Sequence, residues 1–196
     1  MNVSLTMNTT TVQKLVTIGF AIAIGLYANA WADDWAEKEF KVAGGGMLSL
    51  SYPLSWGKKP AYDIFDSITD IRFGPYGPKS KPIFFVHLQA VVGLEAPSDA
   101  DLMEIAKLEI EDLKKTAFET DIPINDFEGA NSRGLYYSIT DRESKRGEFD
   151  YLTMAVVASN QLLLKIYFLS SDGAPDFGAD AIQMMQSIQY VAPLSE

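Results

Sequence analysis

The chain has 196 residues, no cysteine and a single histidine, His87. The first absence excludes disulfides, thiolate nucleophiles, zinc–thiolate and iron–sulfur sites, and acylation of a lipoprotein cysteine. The second excludes any metal site built on several imidazoles. A Ser-His-Asp arrangement also lacks its usual mark, since no Gly-x-Ser-x-Gly turn occurs. An excess of positive charge is missing as well: sixteen Lys and Arg face 26 Asp and Glu, for a net charge of −10. That balance argues against nucleic acid and against anionic lipid as partners.

What is there begins with a leader. Lys14 precedes an uncharged, mostly apolar stretch from Leu15 to Ala28, followed by two small-x-small sites, Ala28-Asn29-Ala30 and Ala30-Trp31-Ala32. Charge, apolar core and cleavage site in that order read as a secretory signal peptide over 1–32. The expectation is cleavage after Ala32, or after Ala30, and a periplasmic or secreted protein. The apolar run is short of the roughly 20 residues of a membrane span, so membrane attachment would require an uncleaved leader. Cleavage after Ala32 removes Lys14 and no acid, which moves the charge from −10 to −11. It leaves residues 33–196, enough for one domain that buries roughly 70% of the surface of its unfolded chain.

Residues 33–46 read as a lead-in that ends in a glycine hinge, Gly44-Gly45-Gly46, and residues 192–196 as a tail. Between them, strands are expected at Met47–Tyr52, Ser67–Phe73, Ile83–Val92, Gly134–Thr140, Phe149–Ala158 and Gln161–Leu169, from period-two or continuous apolar patterning. The ten mostly apolar residues of Ile83–Val92 predict burial on both faces. Gly74-Pro75-Tyr76-Gly77-Pro78 is a dense turn signal. Ser159-Asn160 reads as a two-residue hairpin turn, and both faces of the strands it joins are apolar.

Ser98 is placed as the N-cap of a long amphipathic helix, with Asp99 and Asp101 in its first turn. Leu102, Ile105, Ala106, Ile110, Leu113 and Ala117 share one face of it, and Glu111 with Lys115 forms an i,i+4 pair. A second helix is expected over 176–187, after the Asp172-Gly173-Ala174-Pro175 break. A sheet covered on both faces predicts an α/β (α+β) class, a three-layer α/β/α sandwich around a mainly antiparallel sheet.

The order of elements resembles the PsbP-like fold, shared by the PsbP subunit of photosystem II, a Ran-binding import factor and DcrB-like envelope proteins. The residues that carry the resemblance are Tyr52-Pro53 followed by Trp56, the helix over 98–118, Gly134-Leu135-Tyr136-Tyr137, and Phe177 through Ser187-Ile188. It spans about residues 47–191. It implies a binding or assembly factor rather than an enzyme, by analogy of fold.

No catalytic, cofactor or metal set emerges. His87, mid-strand beside Phe85 and Gln89, reads as structural. The glycine triplet precedes a strand and so lacks the helix N-terminus that cradles phosphate. Acid pairs such as Asp33-Asp34 lack the oxygen spacing of a calcium loop. Glu109 falls by helical phase on the face expected to bury, and Lys165 is equally misplaced on its strand. They read as partners, or as two side chains that reach water at a margin.

Charge is segregated. Residues 57–82 carry Lys58, Lys59, Arg72, Lys79 and Lys81 against Asp63, Asp66 and Asp70, whereas residues 95–128 carry eleven acids against three lysines. The basic segment also holds Tyr62 and Tyr76, and Trp56 lies just before it. The candidate partner-binding residues are therefore Trp56, Lys58, Lys59, Tyr62, Tyr76, Lys79 and Lys81. The alternative is that Trp56 and Tyr62 plug the end of the sheet. The expected function is an exported, non-enzymatic binding or accessory protein of the cell envelope, facing a partner with an acidic surface. Beside it stand a carrier of a small ligand or peptide in a sheet–helix pocket, and a hydrolase running on carboxylates such as Glu109.

Overall fold

The computed structural model describes residues 34–57, 59–74, 84–145, 148–171 and 177–193. The expected signal peptide, the expected turn at Pro75-Tyr76-Gly77-Pro78, the expected break at Asp172-Gly173-Ala174-Pro175 and residues 194–196 lie outside the described residues.

The lead-in is a strand. Trp35–Lys41 (β1) pairs antiparallel with Met47–Pro53 (β2), with Phe40 opposite Leu48 and Lys38 opposite Leu50. Gly44, Gly45 and Gly46 hold φ of +86°, +102° and +84°, a region in which side-chain-bearing residues are strained. The triplet is thus the turn of a hairpin and not a hinge. Gln189–Val191 (β10) pairs with the other side of β2 and completes a three-stranded sheet, β1-β2-β10.

The remaining strands form one seven-stranded antiparallel sheet. Ala61–Phe65 (β3), Ile68–Phe73 (β4), Phe84–Val92 (β5), Asn125–Glu128 (β6), Arg133–Thr140 (β7), Tyr151–Ser159 (β8) and Leu162–Ser170 (β9) lie in the order β3-β4-β5-β9-β8-β7-β6. The β8–β9 turn falls at Asn160-Gln161, one residue later than its apolar flanks indicate, with Ser159 opposite Leu162. Asn160 takes φ +51° there, which asparagine tolerates better than most residues. Moving the turn by one residue shifts the register by two, so every side chain keeps its expected face.

Asp99–Leu113 (α1) starts on a complete capping box: Asp101 N–H donates to Ser98 Oγ, and Ser98 N–H donates to the Asp101 carboxylate. Leu102, Ala106 and Ile110 are buried, with Ile105 and Leu113 packed beside them. The helix stops before 118. The surface ion pairs are Lys114–Glu111 at 2.7 Å and Lys115–Asp112 at 2.8 Å, both i,i+3 in place of the expected Glu111–Lys115. Phe177–Ser187 (α2) sits where the sequence puts it.

Two apolar clusters hold the molecule together. One face of the large sheet, with Ile71, Phe73, Val86, Leu88, Leu164 and Ile166, packs with Phe40, Leu48, Leu50 and Tyr52 and with Ala181, Met184 and Ile188. The opposite face, with Tyr137, Ile139, Met154 and Val156, packs under α1. Each large apolar side chain so buried contributes roughly 1.5–3 kcal/mol. The fold class is mixed α+β, mostly antiparallel sheet.

Candidate functional site

Helix α1 lies over β7 and β8. Across β5, β4 and β3 the same face of the sheet is covered by no element among the described residues. Phe85, His87 and Gln89 are only half-buried and Val91 is exposed, so β5 is buried on one face and not on both. Register aligns the side chains of this open half in two cross-strand rows. One row runs Asp63, Asp70, Gln89, Lys165; the next runs Arg72, His87, Tyr167, Met154.

The rows are tied by charge and by ring contact. Arg72 Nη2 meets Asp63 Oδ2 at 2.5 Å. Asp70 Oδ1 lies 3.0 Å from His87 Nε2 and 3.4 Å from Arg72 Nε. These three atoms are shielded from solvent and form no hydrogen bond among themselves; Arg72 and Asp70 are an ion pair. The His87 ring stacks on Tyr167, centroids 5.7 Å apart, and stands 6.1 Å from Phe85.

At the border with α1, Glu109 and Lys165 form the ion pair that their misplaced phases allowed, with Nζ donating to Oε1. Both side chains are partly shielded. The hydrogen bond to Glu109 raises the Lys165 pKa, and burial, reinforced by the Glu109 charge, raises those of Tyr167 and Tyr137. All three groups therefore hold their protons across the physiological range. Beside the pair, Leu108, Glu109, Asp112, Leu113, Leu152, Met154 and Tyr167 line a shallow pocket of about 350 Å³. Its floor is apolar and its rim carries carboxylates.

The residues expected from the sequence are dispersed. Trp56 is 3% exposed, and its ring meets Phe73 at 6.2 Å and Phe168 at 6.1 Å, both edge-on. It is a core plug and presents no contact surface. Tyr62 is partly exposed, but its ring leans on Phe40 and its hydroxyl donates to the Lys41 carbonyl at 2.7 Å. Lys59 is exposed. Lys58, Tyr76, Lys79 and Lys81 lie outside the described residues. Gly57, Lys59, Pro60 and Gly74 stand at the end of the sheet where Arg72 and Phe85 lie.

The open face itself was missed. Its signal was present: Asp70 and Arg72 alternate with Thr69, Ile71 and Phe73, and His87 and Gln89 alternate with Val86, Leu88 and Ala90. Among the described residues no group of three or more His, Asp or Glu side chains is placed to hold a metal ion. No described helix is long and apolar enough to cross a membrane.

No family model matches the chain, and no curated protein matches it. Among solved structures, a 1.50 Å crystal structure from Bacteroides thetaiotaomicron VPI-5482 is similar at 14% sequence identity and a TM-score of 0.49. The match covers 81% of this chain and 49% of that one, so the chain spans about half the length of this neighbour.

Proposed function

We propose that this is an exported, non-enzymatic binding or accessory protein of the cell envelope, acting through protein–protein contacts at the open half of the large sheet. One observation carries the reading: among the described residues no element covers Asp70, Arg72, His87, Gln89 and Val91, whereas α1 lies over β7 and β8 of the same face. Mixed charges and aromatic rings on rigid strands are the composition of a recognition surface. Export rests on the leader. The finer fold assignment, a three-layer α/β/α sandwich of the PsbP-like kind spanning 47–191, is part of the same proposal. An acidic partner is proposed from the sequence charge of residues 57–82.

A carrier reading draws on the pocket beside Tyr167, with its apolar floor and carboxylate rim. Hydrolysis draws less support, because Lys165 occupies the Glu109 carboxylate.

The test is capture from an envelope extract of the native host, with wild type and a Gln89→Glu, Val91→Asp double variant side by side. A protein retained by wild type and lost by the variant is the expected result. Equal capture by both, or no specific capture at low and high salt, refutes the proposal.

A further inference from the structure

Among the described residues β3 is a free edge of the seven-stranded sheet, paired with β4 alone. A free edge offers unpaired N–H and C=O groups to another strand unless it is blunted. The other edges are blunted. β6 has four residues with Asp126 and Glu128 exposed, β10 has three residues, and β1 exposes Glu37, Glu39 and Lys41. β3 and its turn are different in kind: Tyr62, Ile64, Phe65 and Ile68 are 37%, 47%, 60% and 38% exposed. Four of the ten exposed large apolar residues among the described residues thus fall within seven positions.

We propose that β3 pairs antiparallel with β3 of a second copy of this chain, about a two-fold axis normal to the sheet and centred on Asp63. Such an axis keeps each face on its own side, so opposed residues must be an even number of positions apart. Centring on Asp63 overlaps all five residues of the strand. It sets Tyr62 against the partner's Ile64 twice over, an aromatic–branched cross-strand pair of the favoured kind. Ala61, small, meets the partner's bulky Phe65. The two Asp63 carboxylates meet at the axis with Asp70 next in the row on each side, and each Asp63 is paired with its own Arg72 at 2.5 Å, so the centre gathers four acids against two arginines. A five-residue edge falls short of the roughly 1,200 Å² of a stable interface. The dimer is therefore reversible, and tightest where salt screens the central acids and the net charge of −10 on each chain.

The pairing has a consequence for recognition, and only this consequence rests on the proposed function. Face preservation brings the two open half-sheets onto one side. The result is a continuous floor of eight strands from β9 to the partner's β9, roughly 34 Å across at about 4.8 Å per strand. Helix α1 and its symmetry copy stand beyond the two ends of that floor.

The experiment is sedimentation velocity on protein produced from the full 196-residue chain, across protein concentrations from micromolar to submillimolar, in low and high salt. The mean mass should climb toward twice the monomer and climb further in high salt. Ile64→Lys should stay monomeric with an unchanged melting temperature. The chain has no cysteine, so single cysteines report register: Asp63→Cys should oxidise to a covalent dimer and Phe65→Cys should not. A monomer at every concentration in both salts overturns the proposal. So does a dimer indifferent to Ile64→Lys, or equal cross-linking by the two cysteine variants. A wild type that stays monomeric yet captures a partner lost by the Gln89→Glu, Val91→Asp variant leaves the open-face reading standing while the dimer falls.

Discussion

Replacing Trp56 by alanine separates a plug from a contact. The indole is 3% exposed and wedged edge-on between Phe73 and Phe168. Truncating a buried tryptophan removes its transfer free energy and leaves a cavity, together about 3–5 kcal/mol. For a domain of this size each kcal/mol moves the melting midpoint by roughly 2–4 °C, so the midpoint should fall by about 6–20 °C. Trp56→Phe keeps an aromatic ring against both neighbours and should lose less than half of that. The assay is thermal unfolding followed by far-UV circular dichroism, with calorimetry to check that the transition stays two-state. Partner capture by Trp56→Ala below its midpoint should match wild type. An unchanged midpoint, or capture lost while the midpoint holds, would refute the burial argument and restore Trp56 as a contact.

Two further outcomes follow from local chemistry. Ser98→Ala breaks the capping box of α1 and should cost about 1 kcal/mol, read as a small drop in the urea midpoint with an unchanged slope. Glu119 accepts from the Thr140 N–H at 2.9 Å and the Thr140 hydroxyl at 2.8 Å. Burial pushes its pKa up, but these bonds outweigh it and the net shift is downward. A carboxyl depressed in the folded state stabilises above its unfolded pKa and loses that contribution as pH falls through the folded value. Wild type should therefore lose stability as acid is added below about pH 4.5, the ordinary value, more steeply than Glu119→Gln. Parallel acid-unfolding curves for the two would sink the argument.

What could be read from the residues divides by how much each element buries. The start of α1 and the strands of the β8–β9 hairpin bury side chains at regular spacing, and their periods place them within a residue or two of the observed ends, whereas α1 stops at Leu113, well short of 118. β1, β3, β6 and β10 were missed. Each has one buried residue or none, as in β6 with Phe127 alone and β3 with nothing below intermediate exposure. A period of two leaves no trace when neither face is apolar. Trp56 misled for a related reason: an aromatic in a loop rich in Gly, Pro and Lys looks solvent-facing. Its burial depends on Phe168, more than a hundred residues away. The open face was half legible, since alternation marks its polar side chains. Whether a helix covers a given pair of strands is decided by the crossing of α1 over the sheet, and no local pattern encodes that.

The small sheet joins the beginning of the domain to its end. β2 is clasped on one side by β1, a few residues before it, and on the other by β10, whose neighbour Ser187 bonds to Ser51 across 136 positions. A chain that emerges from its N-terminus first can form the β1–β2 hairpin early, but the apolar cluster that the hairpin joins is complete only when α2 and the last strand add Ala181, Met184, Ile188 and Tyr190. Loop closure over such a span is slow compared with local folding. The domain should therefore acquire its tertiary structure only once its C-terminal residues are free. It would stay open and threadable for as long as the end of the chain is withheld.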